Sequence, residues 1–436
     1  MNLKNTEIHH SLPEVYGSVK VPKTGSFGKK LWVFTGPGLM VAVGYMDPGN
    51  WATDISGGAK FGYTLISVIL ISNLFAMLLQ HLALKLGIAT GRDLAQACRH
   101  AYSKPVSITL WVLCEIAIAA CDLAEVIGSA IAINLLFGLP LSVGVVITVL
   151  DVLVLLYFQG KGFRALESIV AGLIFVIFCC FAYEIAVSQP SIVQIFGNIL
   201  PKPEIVTNPE MLYVAIGILG ATVMPHNLYL HSSIVQTRNF DKTNEGRRSA
   251  IFFATIDSNL SLSLAFFINA AILIISAATF HHTGNQNVAD INDAYHLLDP
   301  VLGVKFAGVF FALALLASGQ NSTLTGTLAG QIVMEGFLNL SLKPWLRRLI
   351  TRLIAVIPAL IVTILYGEKG TGDLLVFSQV ILSLQLSFAV VPLIVFTNDK
   401  KEMGEFVNST FMKIGAWIVA TIIIALNGYL LWDTIF

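Results

Sequence analysis

The chain has 436 residues, of which 56% are hydrophobic and only 12% are charged, and its 26 basic residues balance its 26 acidic residues. This composition excludes an ordinary soluble protein, and the sequence has no basic patch with interleaved aromatic residues that would indicate nucleic-acid binding. The apolar residues come in blocks of about 20, the length of helix that crosses a hydrocarbon core of about 30 Å. The sequence therefore predicts an all-α, multi-pass membrane protein that lies in the lipid bilayer. A nucleic-acid partner is not expected.

The apolar blocks predict eleven transmembrane helices. Residues 1–30 are polar and lack the apolar core of a cleaved signal peptide, so we expect a cytoplasmic N-terminal tail. Several predicted spans exceed the ~20 residues that a straight helix needs, which allows for tilt. The spans are predicted at residues 32–58, 63–87, 107–137, 141–159, 163–187, 211–237, 249–281, 303–337, 345–366, 373–397 and 409–433.

The basic residues between the spans predict the orientation in the membrane. With a cytoplasmic N-terminus, all but four of the 26 basic residues fall on the cytoplasmic side. Reversing the chain or dropping one span would destroy this asymmetry, which membrane proteins use to set their topology. We therefore predict a cell-membrane protein with a cytoplasmic N-terminus and an external C-terminus. The four basic residues left outside are Lys60, Lys202, Lys305 and Lys369.

The first predicted span contains Asp47-Pro48-Gly49-Asn50 in the middle of its apolar run. A carboxylate at this depth costs about 3 kcal/mol even on lenient insertion scales, and it is functional by default. Pro48 has no N–H and Gly49 weakens a helix further, so we expect the helix to open and to leave backbone carbonyls without their usual partners. Such carbonyls are tolerated only where they face protein, water or an ion. The stretch is typical of a cation site, although Asp47 can also be interpreted as a cap on its own broken helix.

The sixth predicted span carries a second interruption, Ala221-Thr222-Val223-Met224-Pro225-His226. Five spans separate the two prolines, so the second half enters the membrane with the opposite polarity. Paired interruptions in two inverted halves indicate the midplane binding site of a secondary transporter. We predict a 5+5 inverted repeat with helices 1 and 6 unwound at the midplane. The predicted units are the tail (1–30), the first repeat (31–200), the second repeat (201–398) and helix 11 (399–436).

Together the two interruptions offer the Asp47 carboxylate, the Asn50 amide oxygen, the Met224 thioether and a freed carbonyl near Ala221. Oxygen ligands alone would suit Mg²⁺, Ca²⁺ or Na⁺, whereas a thioether is a soft ligand that favours later transition metals. The mixture predicts a divalent transition-metal site for Mn²⁺ or Fe²⁺ that also admits Cd²⁺. Taken alone, Met224 would more often be an ordinary packing residue.

These motifs resemble the paired signatures of the Nramp family of divalent metal transporters. The resemblance rests on Asp47-Pro48-Gly49-Asn50, on Met224-Pro225-His226, and on the eighth-span stretch from Gly319 to Phe337, and it extends over essentially the whole chain. Two positions depart from the family pattern: Asn321 stands where Ser is usual, and Ser387 stands where Pro is usual. The second departure could alter the bend of the tenth helix.

The resemblance implies proton-coupled uptake of Mn²⁺ or Fe²⁺ on a scaffold like that of the sodium-coupled amino-acid transporters. It implies that Asp47, Asn50, Met224 and the Ala221 carbonyl hold the metal, and that Gln379 joins them in some conformations. The metal and the proton are then substrates, and no cofactor is expected. We further expect a monomer that is a transporter and not an enzyme.

The third span carries a stripe of acidic residues, Glu115, Asp122 and Glu125, whose spacing places them on one helix face. Buried carboxylates of this kind can exchange protons near neutral pH. The interpretation that competes with a proton route is a salt-bridge network that only joins helices. The resemblance implies a proton route centred on Asp122, and Asp47 itself is expected to exchange a proton as the metal binds. The other candidates for this route are His226 and His231 on the sixth span and Arg348 and Arg352 on the ninth.

Other polar residues in the spans have simpler interpretations. His81 and Asn269 are expected to form hydrogen bonds between helices. Four of the five cysteines lie in apolar runs without C-x-x-C spacing, and we interpret them as small buried hydrophobic residues. These four are Cys114, Cys121, Cys179 and Cys180.

Two other classes of protein remain as alternatives. A sodium-coupled symporter of organic solutes would share the architecture, but its broken helices would be shaped for a substrate carboxylate and would not present an aspartate opposite a methionine. A membrane-embedded enzyme would need a catalytic motif, and the sequence contains no H-E-x-x-H zinc pattern. The sequence alone does not rank Mn²⁺ above Fe²⁺.

Overall fold

The computed structural model describes residues 10–22, 24–150, 161–286, 288, 291–303, 306–340 and 343–435. The last part of the predicted fourth span and Lys305 lie outside the described residues. The chain is predominantly helical, as predicted. In chain order the helices are α1 (Phe27–Phe34), α2 (Pro37–Val43), α3 (Pro48–Phe61), α4 (Ile66–Thr90), α5 (Leu94–Ala101), α6 (Lys104–Phe137), α7 (Leu141–Ile147), α8 (Phe163–Ser188), α9 (Ile192–Gly197), α10 (Glu204–Thr207), α11 (Pro209–Thr222), α12 (Pro225–Ile234), α13 (Asn244–Ser276), α14 (Ile291–Leu302), α15 (Ala307–Leu338), α16 (Pro344–Asn398), α17 (Lys400–Met403) and α18 (Thr410–Ile435).

Short strands and short helices of other types join these helices. Two two-residue strands, β1 (Val19–Lys20) and β2 (Arg238–Asn239), form a parallel pair. A π-helix at Ala277–His281 extends α13. Short 3₁₀ helices lie at Gly44–Met46, Gly62–Leu65, Thr148–Leu150, Val235–Thr237 and Gly404–Phe406.

Eight stretches of the described chain are helical, long and apolar enough to cross a membrane, and they agree with the prediction of a multi-pass membrane protein. Three shorter apolar helices cover Pro37–Met46, Leu141–Leu150 and Arg352–Leu365. Within α16, Gly367 has non-helical angles (φ 64°, ψ −148°), directly after the predicted end of the ninth span at residue 366. Since a positive φ suits glycine, this residue interrupts the helix between the predicted ninth and tenth spans. The count of eleven spans stays a prediction.

Helix α6 lies at the centre of the bundle, packed along α15 and α16 and against α3. Helix α6 approaches α3 closely at Gly128, because a Cβ added there would lie 2.2 Å from the Cβ of Pro48. Real side chains do not approach so closely, so a glycine at this position is what lets α6 pack against the first interruption.

Buried charges hold the junction between α1 and α2. The Arg238 guanidinium donates to Glu167 Oε1 at 2.6 Å and to the carbonyl oxygens of Val33 and Thr35 at 3.0 and 2.9 Å. The Arg238 and Glu167 side chains are 0% and 4% exposed. Removing Glu167 would leave the Arg238 guanidinium buried without this ion-pair partner, which typically costs about 3–5 kcal/mol. Glu167 itself has a second partner, because Arg164 Nη1 donates to its Oε2 at 3.0 Å.

The same junction depends on Gly36, whose φ of 138° lies outside the range that other residues adopt readily. A Cβ at Gly36 would lie 2.3 Å from the Glu167 carboxyl carbon. Asp257 then accepts hydrogen bonds from the backbone N–H groups of Gly36 and Gly38 at 3.3 and 2.7 Å. A carboxylate at the start of a helix satisfies donors that have no partner within the helix. These contacts fix where α2 enters the bundle.

We predict that Gly128→Ala lowers the free energy of unfolding by about 1–3 kcal/mol, because the added methyl group must displace Pro48. Gly172→Ala is the matched control: Gly172 also lies within a long helix, but an added Cβ meets no atom within 4 Å. The control should leave the melting temperature in detergent unchanged or raise it, since alanine favours helix by up to about 1 kcal/mol. Equal melting temperatures for the two variants would contradict the close packing at Pro48.

Candidate functional site

The first interruption lies between α2 and α3. The chain passes through the 3₁₀ turn Gly44–Met46 and becomes extended at Asp47 (φ −69°, ψ 165°), and α3 begins at Pro48. Asp47 Oδ1 accepts the backbone N–H of Asn50 at 2.9 Å, so this oxygen caps α3. One carboxylate oxygen of Asp47 therefore caps the helix that follows, as one interpretation of the sequence predicted. The other oxygen, Oδ2, is buried and has no hydrogen-bond partner.

The carbonyls released by this interruption are paired with side chains from elsewhere. The Tyr45 carbonyl accepts from Asn269 Nδ2 at 2.7 Å. The Met46 carbonyl accepts from Trp51 Nε1 at 3.1 Å and from the Ser318 hydroxyl. These two carbonyls are therefore satisfied within the protein, which is one of the outcomes that buried irregular backbone requires.

The second interruption lies between α11 and α12. Helix α11 ends at Thr222, Val223 (φ −103°, ψ 74°) and Met224 (φ −72°, ψ 125°) are non-helical, and α12 begins at Pro225. In a continuous helix the Ala221 carbonyl would accept the N–H of residue 225, but proline has none. The Ala221 carbonyl accepts a hydrogen bond from Asn50 Nδ2 at 3.0 Å instead.

Asn50 joins the two interruptions. Its Nδ2 donates to Asp47 Oδ1 at 2.6 Å and to the Ala221 carbonyl at 3.0 Å, so the two oxygens lie on either side of one positively polarised group. Asn50 Oδ1 accepts from Asn269 Nδ2 at 3.4 Å. Rotation of the Asn50 amide by half a turn would present its oxygen to the same point as the other two oxygens. The arrangement can therefore offer a cation three oxygen ligands from two helices.

Gln379 of α16 packs against a glycine next to each interruption. A Cβ added at Gly49 would lie 1.7 Å from Gln379 Nε2, and a Cβ added at Gly220 would lie 2.6 Å from the Gln379 carbonyl oxygen. Gln379 Nε2 donates to Ser378 Oγ at 2.9 Å, while Gln379 Oε1 is buried without a hydrogen-bond partner. The structure thus brings Gln379, which only the family resemblance implicated, to both interruptions.

Two buried acceptor oxygens near the interruptions, Asp47 Oδ2 and Gln379 Oε1, have no hydrogen-bond partner. Leaving such groups unsatisfied costs about 1–3 kcal/mol each, and more when they are charged. A bound cation is one kind of ligand that would satisfy such an oxygen. The Met224 side chain is fully buried in a cluster with Ala117, Cys121 and Leu382, three residues beyond the Ala221 carbonyl in the chain. Among the described residues no three His, Cys, Asp or Glu side chains converge as in a resident metal centre, so the candidate ligand set contains a single carboxylate.

The acidic stripe of α6 meets α15 and α16. Asp122 and Glu125 are buried, and Arg352 Nη1 lies 3.6 Å from Glu125 Oε2. Arg352 Nη2 also donates to Thr323 Oγ1 at 3.2 Å. The small residue Gly326 gives the stripe room, since a Cβ there would lie 3.1 Å from Glu125 Oε1 and 3.4 Å from Asp122 Oδ1. The structure therefore pairs Glu125 of the third span with Arg352; the Arg348 side chain lies outside the described residues.

A thiol lies between this stripe and the interrupted helices. Cys121 Sγ is 3.6 Å from Glu125 Oε1 and 3.9 Å from His226 Nε2. Cys121 is buried in an apolar cluster as expected, but the packing of α6 against α12 also brings two polar groups within 3.9 Å of its sulfur. Cys179 departs from its prediction: it is exposed on the outer surface of α8, while Cys114 and Cys180 are buried as expected.

The remaining predicted residues lie apart from one another. His231 Nδ1 is 2.9 Å from Gln80 Oε1, and Gln80 Nε2 donates to the Tyr45 hydroxyl at 2.8 Å. Glu115 is only partly buried and accepts from Trp111 Nε1 one turn earlier at 3.0 Å. His226 and His231 therefore face different partners, and Glu115 lies in a different environment from Asp122 and Glu125.

Comparison with known proteins agrees with the sequence resemblance. The family model described as "natural resistance-associated macrophage protein-like" (Nramp) matches residues 38–433. A divalent metal cation transporter MntH from a Nostoc species is 64% identical over 425 residues, covering 98% of this chain and 96% of that protein. The MntH of Listeria monocytogenes is 62% identical with 98% and 95% coverage. This chain belongs to the Nramp family.

Solved structures extend the comparison to the fold. The Eremococcus coleocola manganese transporter has a TM-score of 0.90 at 43% identity, with 96% of this chain and 90% of that chain covered. Mhp1, a nucleobase-cation-symport-1 family transporter, has a TM-score of 0.60 at 15% identity, with 91% and 92% covered. The second likeness concerns the fold alone.

Two asparagines of this Nramp chain lie at the first interruption but were not predicted as site residues. Asn269 was expected to join helices and does so, yet its partners are the Tyr45 carbonyl and Asn50 at the first interruption. Asn227 is fully buried with both side-chain polar atoms unpaired, beside Gly44, where an added Cβ would lie 2.1 Å from Asn227 Nδ2. The signal in the sequence was an amide within an apolar run, directly after Pro225-His226.

We predict that Asn269→Ala lowers the free energy of unfolding by about 1–3 kcal/mol, because the buried Tyr45 carbonyl loses its donor. Mn²⁺ binding should weaken as well, since Asn50 loses the contact that orients its amide. Asn259→Ala, on the exposed face of the same helix α13, is the matched control and should change neither quantity. Melting temperature in detergent and isothermal titration with Mn²⁺ measure the two effects. Unchanged Mn²⁺ affinity in Asn269→Ala would exclude Asn269 as a group that positions Asn50.

Proposed function

We propose that this chain imports divalent transition-metal ions, Mn²⁺ or Fe²⁺ with Cd²⁺ also admitted, in symport with protons across the cell membrane. The observation that carries the proposal is that Asn50 bridges two interrupted helices next to Asp47, whose buried Oδ2 is unpaired, while Gln379, whose Oε1 is also unpaired, packs against Gly49. A small cation is the ligand that such a set of oxygens favours. The names of the relatives, divalent metal cation transporter and manganese transporter, support the same substrate class.

The preference for transition metals is assigned to Met224. Its thioether is a soft ligand, which adds little for Ca²⁺ or Mg²⁺ but contributes to binding of later and softer metals. The side chain is fully buried at the second interruption, so its sulfur cannot be replaced by bulk water without rearrangement.

Proton coupling is assigned to Asp47 and to the network of α6 and α16. A cation that binds Asp47 competes with a proton for the same carboxylate, which couples metal occupancy to protonation. Cys121 and His226 lie between this region and Glu125, and Arg352 pairs with Glu125. We propose that protons leave through Asp122 and Glu125, with His226, His231, Glu115, Arg348 and Arg352 adjusting the charge of the route.

Transport is proposed to proceed by alternating access. The proposed architecture is eleven spans, with inverted repeats over residues 31–200 and 201–398, helices 1 and 6 unwound at the midplane, and helix 11 outside the repeat. The cytoplasmic side of the protein, here called the inner side, is proposed to open when α1 and α2 break their contacts with Arg238, Glu167 and Asp257. Residues 1–30 are proposed to be cytoplasmic and the C-terminus external, with the protein acting as a monomer.

The competing function is sodium-coupled symport of an organic solute. The fold likeness to Mhp1 is compatible with it, but a fold does not determine the substrate. Asp47 argues against it, because a carboxylate at the interruption would repel the carboxylate of an amino-acid-like solute. The close packing of Gln379 against Gly49 also leaves little room for an organic molecule.

We predict that Asp47→Ala abolishes Mn²⁺ uptake into proteoliposomes, because the set then contains no charged ligand. In the wild type, a pH gradient, acidic outside, should accelerate uptake, and metal entry should acidify the lumen. Asp54→Ala on the same helix is the control for removing a buried carboxylate as such and should keep measurable uptake. Uptake by Asp47→Ala at the wild-type rate would contradict the proposed metal site, and uptake by the wild type without lumenal acidification would contradict proton coupling.

We predict that Met224→Ala weakens Mn²⁺ affinity by about three- to ten-fold and reduces the rejection of Ca²⁺, because only oxygen ligands remain. Met334→Ala removes another buried methionine from α15 and serves as the matched control. Competition of Ca²⁺ and Mg²⁺ with Mn²⁺ uptake measures the change. Unchanged Ca²⁺ rejection in Met224→Ala would show that the thioether does not determine selectivity.

A further inference from the structure

Residues 10–22, here called the N-terminal segment, are packed against the helical bundle and do not extend away from it. Leu12 is 2% exposed and joins the main hydrophobic core, although it adopts a left-handed φ of 55°. A bulky residue takes that conformation only where its surroundings compensate the strain. The burial of the side chain provides that compensation, so Leu12 is an anchor.

Hydrogen bonds fix the anchor to two helices. The Leu12 backbone N–H donates to Glu335 Oε2 near the end of α15 at 2.9 Å. The Ser11 hydroxyl donates at 2.6 Å to Asp93 Oδ2, and Asp93 Oδ1 caps α5 by accepting from the Gln96 N–H at 2.8 Å. This end of the segment therefore joins α15 to the start of α5.

The other end of the segment is attached to the residues that follow α12. The Gly17 N–H donates to the Gln236 carbonyl at 3.0 Å, and β1 pairs with β2 so that Lys20 lies opposite Asn239. Lys242 Nζ lies 5.6 Å from the ring centre of Tyr16, within the range of a cation–π contact. Since β2 contains Arg238, the segment braces the residue that holds α1 and Glu167.

We propose that the N-terminal segment is a strap that holds the inner side of the protein closed and must release before the substrate can leave inward. The strap links α5 and α15 to the chain beyond α12, and thus bridges elements of the two proposed repeats. The direction of release rests on the proposed function and its orientation. Docking itself rests only on the contacts described above.

A reversible cross-link tests whether release is required for transport. Lys20→Cys with Asn239→Cys places two thiols on paired residues of β1 and β2, both exposed, at a separation that a disulfide spans. Oxidation should lower Mn²⁺ uptake into proteoliposomes by about ten-fold, because the strap can no longer leave, and reductant should restore it. Each single cysteine variant under the same oxidant is the control. Full uptake by the cross-linked protein would overturn the proposal.

A labelling experiment tests the same coupling without measuring transport. Ser11→Cys places a thiol at a 6% exposed position, so an impermeant maleimide reacts with it only when the strap undocks. Asp257→Ala releases the N–H groups of Gly36 and Gly38 and should open the inner side, which should raise the labelling rate about ten-fold. Peptide mass analysis separates this label from the five native cysteines.

Ser18→Cys, at an exposed position of the same segment, is the control and should react equally fast in both backgrounds. If the alanine variant folds poorly, the same measurement is made with the more conservative variant Asp257→Asn. A labelling rate at Ser11→Cys that does not respond to either Asp257 variant would overturn the proposed coupling. Because this readout needs no metal movement, loss of Mn²⁺ uptake in the wild type would contradict the proposed function and leave the strap to be decided by labelling.

Discussion

The structure depends on one amide group that ties two interrupted helices together. Pro48 and Pro225 cannot donate the hydrogen bonds that would keep their helices continuous. The Asp47 carboxylate and the Ala221 carbonyl, which the two interruptions leave available, both accept from Asn50 Nδ2. The bond to Ala221 connects residues 171 positions apart, so the site exists only when the two halves of the chain are packed together.

The rest of the bundle supports this junction through contacts around the first interruption. Asn269 and Ser318 take the carbonyls that the first interruption releases, and Gly128 brings α6 close enough to cover Pro48. Several buried polar atoms at the two interruptions have no hydrogen-bond partner, among them Asp47 Oδ2, Gln379 Oε1, Asn269 Oδ1 and both side-chain polar atoms of Asn227. Unpaired groups are costly in a low-dielectric interior, and their concentration here indicates a ligand.

Ion pairs and backbone hydrogen bonds hold the junction between α1 and α2. Arg238 and Asp257 hold the two sides of the α1–α2 junction, and the parallel pairing of β1 with β2 places the N-terminal segment against Arg238. These contacts are polar and few, so they can break and reform without unfolding the apolar core. The proposed alternating access would require these contacts to break, because packed cores shift between discrete arrangements and do not deform continuously.

The sequence by itself determined the membrane-spanning helical class, the positions of both interruptions and the family, because hydropathy, proline chemistry and the motifs around Asp47 and Met224 are local properties of the chain. Tertiary structure decided which groups complete the site: Gln379 against Gly49, Asn269 on Asn50, Arg352 beside Glu125, and Cys121 between Glu125 and His226. It also placed Leu12 in the core, which a polar N-terminal region did not predict. These pairings join residues that are far apart in the chain, and they depend on how helices rotate and pack, which periodicity along one helix does not specify.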